Sequence, residues 1–512
     1  MKLPPCPGIS FGQGGDLFLR KTLPIFYNAL ILTAVHLLLR FVSTTFQVHI
    51  SSRIGAEGVG LLQLVMSVGG LAMTAGMAGI RTATMYLTAK ELGRGHRENV
   101  GSVLRGCLVY SILFSSAVSL GVYWGAPYIA SYWIGNTHTV GAIRLYACFL
   151  PLICMSGCMT GYFTAANRIT TLAVVEIAEQ LCYMGVTMIT LQFWAHTDPE
   201  KACQAVVFGA GISSCLTLSC LLVLRAQENP PAATKMPIRG RLCRIAIPLA
   251  LADDLKAGIS TTENLMVPKR LAIYEGELSP LATFGTVTGM VFPVLMFPAA
   301  ILYALAELLI PELARCAAAG SNMRIRYLVR RGLKVALLYG CVSGGILYLC
   351  AKPLCLSLYS SPDAGEFLQY YSLLAPMLYC DAITDAMVKG LGQQTASVRY
   401  NILTSAMDVT FLFLLLPEYG MGGYFVSFLV THLINFALSL RRLLKITRIR
   451  IPFSIPALTC AGCIIAASLS KFSVSTVGKV VSFLPAVGSI WVLFGVLGKR
   501  DLHWLRGLLL KK

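Results

Sequence analysis

Apolar runs of membrane-span length follow one another along almost the whole chain, with short polar gaps between them. A bilayer crossing takes about twenty predominantly apolar residues, and about fourteen such runs can be laid out here. Six come first, at about 23–50, 59–89, 103–124, 142–164, 172–194 and 202–224. The stretch 225–244, with Asn229-Pro230-Pro231 and five basic residues, is the most polar interior segment and reads as a linker. Six more runs follow at about 245–267, 281–310, 328–350, 368–387, 398–416 and 422–440, and then two at about 455–470 and 477–497. The pattern predicts an all-α integral membrane protein. It divides into an N-terminal six-helix lobe (1–225), a linker (226–244), a C-terminal six-helix lobe (245–448) and two additional helices (449–512).

The polar positions inside these runs carry the functional signal, because an ionisable group at bilayer depth is costly unless it faces protein or water. The seventh run, IAIPLALADDLKAGISTTENLMVPKR, holds Asp253, Asp254, Lys256, Glu263 and Asn264, with Arg270 at its end. In the first run His36, Arg40, Ser43, Thr44 and Gln47 recur at helical spacing and make one polar stripe. Arg81 interrupts the second run, which is rich in glycine. Pro293 and Pro298 mark bends in the eighth, which also carries Glu307. Arg81, Arg40, His36, Arg53 and Arg270 are therefore candidates for an anion-binding cavity. Asp253, Asp254, Lys256, Glu263 and Glu307 are candidates for coupling or gating. Each has a plainer reading: a cation that snorkels to the interface, an ion pair between helices, or Lys256 neutralising Asp253 three residues away. The row Asp381, Asp385 and Lys389 on the tenth run reads as self-neutralising.

The seventh run also echoes the first. With Ser43-Thr44-Thr45 set over Ser260-Thr261-Thr262, Arg53 falls on Arg270, and Glu57-Gly58 falls on Glu275-Gly276 after one inserted residue. Such an echo is what two halves of an internal repeat produce, and transporters built that way hold substrate between the halves.

Composition agrees with the pattern: of the 512 residues 56% are hydrophobic and only 13% charged, and the mean hydropathy is +0.70. The net charge of +19 would point to nucleic acid in a soluble protein, but here it sits in the gaps. With the N-terminus in the cytoplasm, Lys90, Arg94, Arg97, Arg105, the linker and the basic groups of 315–334, 441–450 and 499–512 all fall on the inner side. Only Arg53, Arg144, Lys201, Lys269, Arg270, Lys352, Lys471 and Lys479 fall outside. This asymmetry places both termini in the cytoplasm and the chain in the cytoplasmic membrane. The polar start leads straight into the first run without a small-residue cleavage site, so no cleavable signal peptide is expected. The seventeen cysteines form no framework, and the CxxC spacing of Cys460 and Cys463, with no histidine nearby, reads as helix packing. Metal and cofactor are expected to be absent. There is no HExxH, no GxSxG, no phosphate-binding glycine loop and no long loop to hold a catalytic head-group site.

Five stretches together resemble a known family: 53–80 (RIGAEGVGLLQLVMSVGGLAMTAGMAGI), 161–180 (GYFTAANRITTLAVVEIAEQ), 264–271 (NLMVPKRL), 288–314 (TGMVFPVLMFPAAILYALAELLIPELA) and 389–393 (KGLGQ). They resemble the stage V sporulation protein B branch of the polysaccharide transporters, within the multidrug/oligosaccharidyl-lipid/polysaccharide (MOP) exporter superfamily. That superfamily also holds lipid II flippases and multidrug antiporters. The resemblance implies two six-helix lobes around a central cavity, two extra C-terminal helices, and export of undecaprenyl-linked sugars by alternating access. The chain departs from the pattern at Glu263, where Asp is commoner, at Arg81, commonly uncharged, and at Phe163-Thr164-Ala165, in place of a more polar turn. The reading is a monomeric flippase, not an enzyme, moving a lipid-linked oligosaccharide or peptidoglycan precursor with a proton, sodium or the membrane potential as drive. A cation-coupled multidrug antiporter on the same scaffold is the alternative, and a membrane-embedded glycosyltransferase or ligase a more distant one.

Overall fold

A computed structural model describes residues 14–498, apart from 95, 167, 195–198, 229–238, 277–278, 319, 450–451, 453 and 474. Among the described residues every regular element is helical. They are α1 (Gly14–Met77), α2 (Ile80–Gly93), α3 (Arg97–Tyr128), α4 (Val140–Ala165), α5 (Ile169–Trp194), α6 (Pro199–Gln227), α7 (Arg239–Leu271), α8 (Pro280–Gly285), α9 (Phe292–Met296), α10 (Ala299–Ala318), α11 (Asn322–Tyr359), α12 (Pro362–Ser372), α13 (Ala375–Gly390), α14 (Gln394–Thr447), α15 (Ser454–Ser470) and α16 (Thr476–Leu493). Among the described residues eight helices, or nine counting one bent pair, are long and apolar enough to cross a membrane.

Two of these helices are too long to be single crossings. The 64 residues of α1 would extend about 96 Å at 1.5 Å per residue, about three times the ~30 Å hydrocarbon core. Gly55, at φ 71 and ψ 174, interrupts it, in a region of dihedral space that a side chain makes costly. α14 runs for 54 residues and is interrupted in the same way at Gly420, with φ 55 and ψ −137. The polar gap expected at 51–58 is therefore a one-residue break that leaves Arg53 on a helix end. Divided at these glycines, with the second part of α1 and α2 taken as one crossing and α8–α10 and α12–α13 each as one bent crossing, the chain is compatible with the six, six and two read from its apolar runs.

The proline-marked span is broken where the sequence expects it. A π-helical turn at Thr286–Val291 leads into α9, and the axis turns by 63° between Pro280–Met296 and Ala299–Ala306. Pro298 cannot donate an amide hydrogen bond and pushes the chain off the helical path. Its carbonyl instead accepts the Tyr339 hydroxyl at 2.8 Å.

The packing sorts the helices. α3 lies on α4, and α4 and α5 lie on α6; α11 lies on α12 and α13, and α13 on α10 and α14. α15 and α16 pair and rest on α11, where the Cys463 thiol donates to the Cys341 carbonyl at 3.1 Å, so the CxxC cysteines are part of that helix contact. α7 packs on both α1 and α14. At the end away from the basic gaps one apolar cluster draws on both halves, with Phe46, Leu61 and Tyr146 packing with Val267, Leu271, Phe284 and Leu416. A second cluster joins α2–α6 with Leu242, Ala246 and Ala250 at the start of α7, and a third gathers α9–α14 along their length together with Val59 of α1.

Candidate functional site

Glycine makes the seal at the far end possible. A Cβ on Gly285 would stand 2.0 Å from the Ala56 carbonyl oxygen, and one on Gly60 2.3 Å from that of Leu281, so α1 and α8 meet backbone to backbone. The Ser51 hydroxyl adds a hydrogen bond to the Gly289 carbonyl at 3.2 Å. About two turns further along α1, α7 is tied to it: Thr261 Oγ1 donates to the Ser67 carbonyl at 3.1 Å and Asn264 Nδ2 to the Ser67 hydroxyl at 2.9 Å.

The candidate cations lie at different depths along these helices. The Arg40 guanidinium sits 4.9 Å from the centre of the Tyr303 ring, joining α1 to α10. Arg270 lies 3.2 Å from the centre of the Phe413 ring of α14. Neither has a carboxylate partner among the described residues. Arg53 and Arg81 are exposed, and no hydrogen bond or ion pair holds them among the described residues. Arg81 opens α2 just after the break at Ala78 and Gly79, both at positive φ, and its carbonyl packs so close to Gly161 of α4 that a Cβ there would be 2.4 Å away. His36 and Glu307 are helical, but their side chains lie outside the described residues.

The acidic candidates split. Asp253 and Lys256 are exposed on α7 and, although their spacing permits a pair, make no ion pair among the described residues. An exposed i,i+3 pair is worth only a few tenths of a kcal/mol, too little to hold a long lysine side chain in one place. Asp254 is half-buried, with Oδ1 unpartnered. Glu263, also half-buried, lies within electrostatic reach of Asp408 on α14. No cation pairs with either carboxylate among the described residues. Arg40, Arg81 and Glu263 are not joined by hydrogen bonds or ion pairs, so the site is a set of separate stations.

Asp408 was not singled out from the sequence. It accepts hydrogen bonds from Ser427 at 2.6 Å and Thr431 at 3.3 Å, while Asn435 Nδ2 lies 3.1 Å from a carboxylate oxygen of Asp381. Ser427, Thr431, Asn435 and Ser439 are all buried on α14 and recur every four residues, a polar ladder that helical spacing alone could have revealed. On the neighbouring row Lys389 Nζ pairs with Asp385 at 2.6 Å, as expected, and Asp381 takes Asn435 instead. Glu228, likewise missed, anchors the basic end of α6. It receives the Tyr162 hydroxyl at 2.8 Å and pairs with Arg225 at 2.6 Å and Arg168 at 3.2 Å.

A cleft of about 900 Å³ runs along the far half of α7, between Leu71, Tyr132 and Trp133 on one side and Ala406, Val409 and Phe413 on the other. Asp254 stands at one end and Lys269 and Arg270 at the other.

Residues 33–189 match the MatE family. Over 406 residues the chain is 21% identical to stage V sporulation protein B of Bacillus subtilis (strain 168), covering 77% of this chain and 78% of that protein. Lipid II flippase MurJ in an inward closed conformation superposes with a TM-score of 0.68 at 12% identity, over 92% of this chain and 99% of that one. An inward-facing multidrug resistance MATE family transporter of the MOP superfamily gives 0.66 at 12% identity, over 83% and 100%. The protein is a multi-span membrane protein with the fold of the MOP superfamily transporters.

Proposed function

We propose that the chain is a flippase of the cytoplasmic membrane that carries a lipid-linked oligosaccharide or peptidoglycan precursor from the inner to the outer leaflet by alternating access. The observation that carries this reading is the state of the cations on α1 and α7. Arg40 and Arg270 stack on aromatic rings with no carboxylate partner among the described residues. Their charge is left for an anion, and phosphate oxygens are acceptors that a guanidinium holds by strong charge-assisted hydrogen bonds. Arg53 and Arg81 extend the same supply toward the two ends. The fold shared with lipid II flippase MurJ is in keeping with a lipid-linked substrate.

In this reading both termini and the basic gaps face the cytoplasm, the two six-helix lobes rock about the glycine-lined seal, and the bent α8–α10 span absorbs the movement. The Glu263 and Asp408 carboxylates, with no protein cation between them, form a negative station able to take up a coupling cation. The same pair is the observation that favours the alternative, a cation-coupled multidrug antiporter. Reconstitution in vesicles decides between them: flipping of a fluorescent undecaprenyl-diphosphate sugar supports the flippase, and exchange of organic cations for protons or sodium with no flipping overturns it. Complementation of a strain lacking its lipid II flippase tests the peptidoglycan precursor specifically.

A further inference from the structure

Lys269 and Arg270 are neighbours in sequence, yet they reach in opposite directions across the mouth of the cleft. The Lys269 ammonium donates to the Tyr132 carbonyl, on the turn that follows α3. Arg270 covers the Phe413 ring of α14. Two adjacent cations thus clasp the two walls of one apolar groove at its far end.

The groove has a polarity. From Asp254 to Arg270 it follows α7 for about 24 Å at 1.5 Å per residue, most of the ~30 Å hydrocarbon core. Its two threonines offer no free donor, since Thr261 bonds the Ser67 carbonyl and Thr262 that of Gly258. What remains is an apolar trough with two positive charges at one end and the unpartnered Asp254 carboxylate at the other. An amphiphile with an anionic head fits one way round: head on Lys269 and Arg270, chain along Leu265 and Val409 toward mid-membrane, the head kept from the deep end by Asp254. That is the orientation of a lipid in the outer leaflet, as the proposed topology places it.

We infer that this cleft is a lateral groove for a polyprenyl diphosphate, resting on the flippase reading above, and that the head group takes Lys269 from the Tyr132 carbonyl and Arg270 from the Phe413 ring. The exchange is favourable in kind, because a guanidinium or ammonium bonded to phosphate makes a stronger contact than either makes with a neutral carbonyl or a ring face. Two adjacent cations match two linked phosphates better than they match a single phosphate ester, which selects the diphosphate over bulk phospholipid.

The test uses the full chain in phosphatidylcholine vesicles with a photoreactive benzoylphenylalanine in place of Val409, and a second protein carrying it in place of Leu113, an exposed residue of α3 that does not line the groove. Radiolabelled undecaprenyl diphosphate is expected to cross-link at least about fivefold more at 409 than at 113, and Lys269→Gln with Arg270→Gln to remove that excess. Lys269→Arg with Arg270→Lys is expected to retain it, which separates loss of charge from loss of fold. Equal labelling at both positions overturns the inference. So does equal labelling at 409 by phosphatidylglycerol, or full competition by inorganic diphosphate, which would make the mouth a site for any anion. A protein that flips its precursor but shows no excess labelling sinks the groove and leaves the flippase reading standing. Labelling without flipping does the reverse.

Discussion

Asn264 and Ser67, 197 positions apart, are joined side chain to side chain at 2.9 Å, so the C-terminal part of α7 is fastened to the second half of α1. The contact sits next to Glu263 and just inside the glycine seal, where movement of α7 relative to the first bundle would have to pass. Interhelical hydrogen bonds of this kind contribute about 0.6 kcal/mol on average in membranes. Asn264→Ala and Ser67→Ala should each lower the unfolding temperature of the detergent-purified protein slightly, and the double variant should lose no more than either single one. Additive losses would show that the two side chains act separately.

The seal itself predicts a sharp contrast between glycines. Gly285 has no room for a methyl group against the Ala56 carbonyl, whereas Gly422 has nothing within 4 Å of the same position. Overpacking typically costs about 1–3 kcal/mol, so Gly285→Ala should destabilise the protein by that order and slow transport by keeping the far end from closing. Gly422→Ala should stay within about 0.5 kcal/mol of the parent. Thermal unfolding of both variants, with flipping measured in parallel, checks the pair. Equal behaviour would remove the argument for a backbone seal.

Residue patterns made part of this architecture legible. The apolar runs gave the crossings, and Pro298 gave the bend, because a missing amide donor acts locally wherever it falls. Gly55 and Gly420 lie in the gaps that separate those runs, but that each gap is a single glycine break inside an otherwise continuous helix was not legible, since residues such as Arg53 and Glu57 suit a helix end as well as a loop. The cations were found because charge is rare at this depth, but their partners were not. Tyr303 and Phe413 are aromatic residues among many, and only the tertiary fold brings them under Arg40 and Arg270. Asp408 escaped because it lies alone in its run, and the ladder that satisfies it is on the other half of α14. The Asp253–Lys256 pair, the plainer reading of those two residues, is absent among the described residues for the opposite reason: spacing permits it, but nothing encloses it.

Pro298 offers a test of the bent span. Pro298→Ala restores an amide donor and allows α9 and α10 to run on as one straighter helix, while the Tyr339 hydroxyl loses a carbonyl that the bend exposes. Interconversion of the two states should slow, and flipping should fall by about three- to tenfold, a change of roughly 0.7–1.4 kcal/mol in the barrier. Tyr339→Phe, which removes the hydroxyl and leaves the proline, should have the smaller effect. The comparison is read from initial rates in vesicles at equal reconstituted protein. If Pro298→Ala transports at the parental rate, the bend is structural and the hinge lies elsewhere.

The carboxylate station leads to the prediction with the most at stake. Glu263 and Asp408 are within electrostatic reach of each other without a protein cation, and Ser427 and Thr431 fix Asp408 by hydrogen bonds at 2.6 and 3.3 Å. If a coupling cation is taken up there, neutralising either carboxylate removes the reason for it to bind. Asp408→Asn and Glu263→Gln should then each abolish the dependence of transport on an imposed proton or sodium gradient, with a fall of about 5- to 150-fold in gradient-driven rate, the range that ordinary coupling free energies span. Downhill movement of substrate should persist, because the cations proposed to hold it are on other stations. Asp385→Asn is the informative control. Its carboxylate is already paired with Lys389 at 2.6 Å, so its loss should cost stability and leave gradient dependence intact. A protein in which Asp385→Asn uncouples transport and Asp408→Asn does not would move the coupling station one helix away from where the geometry puts it.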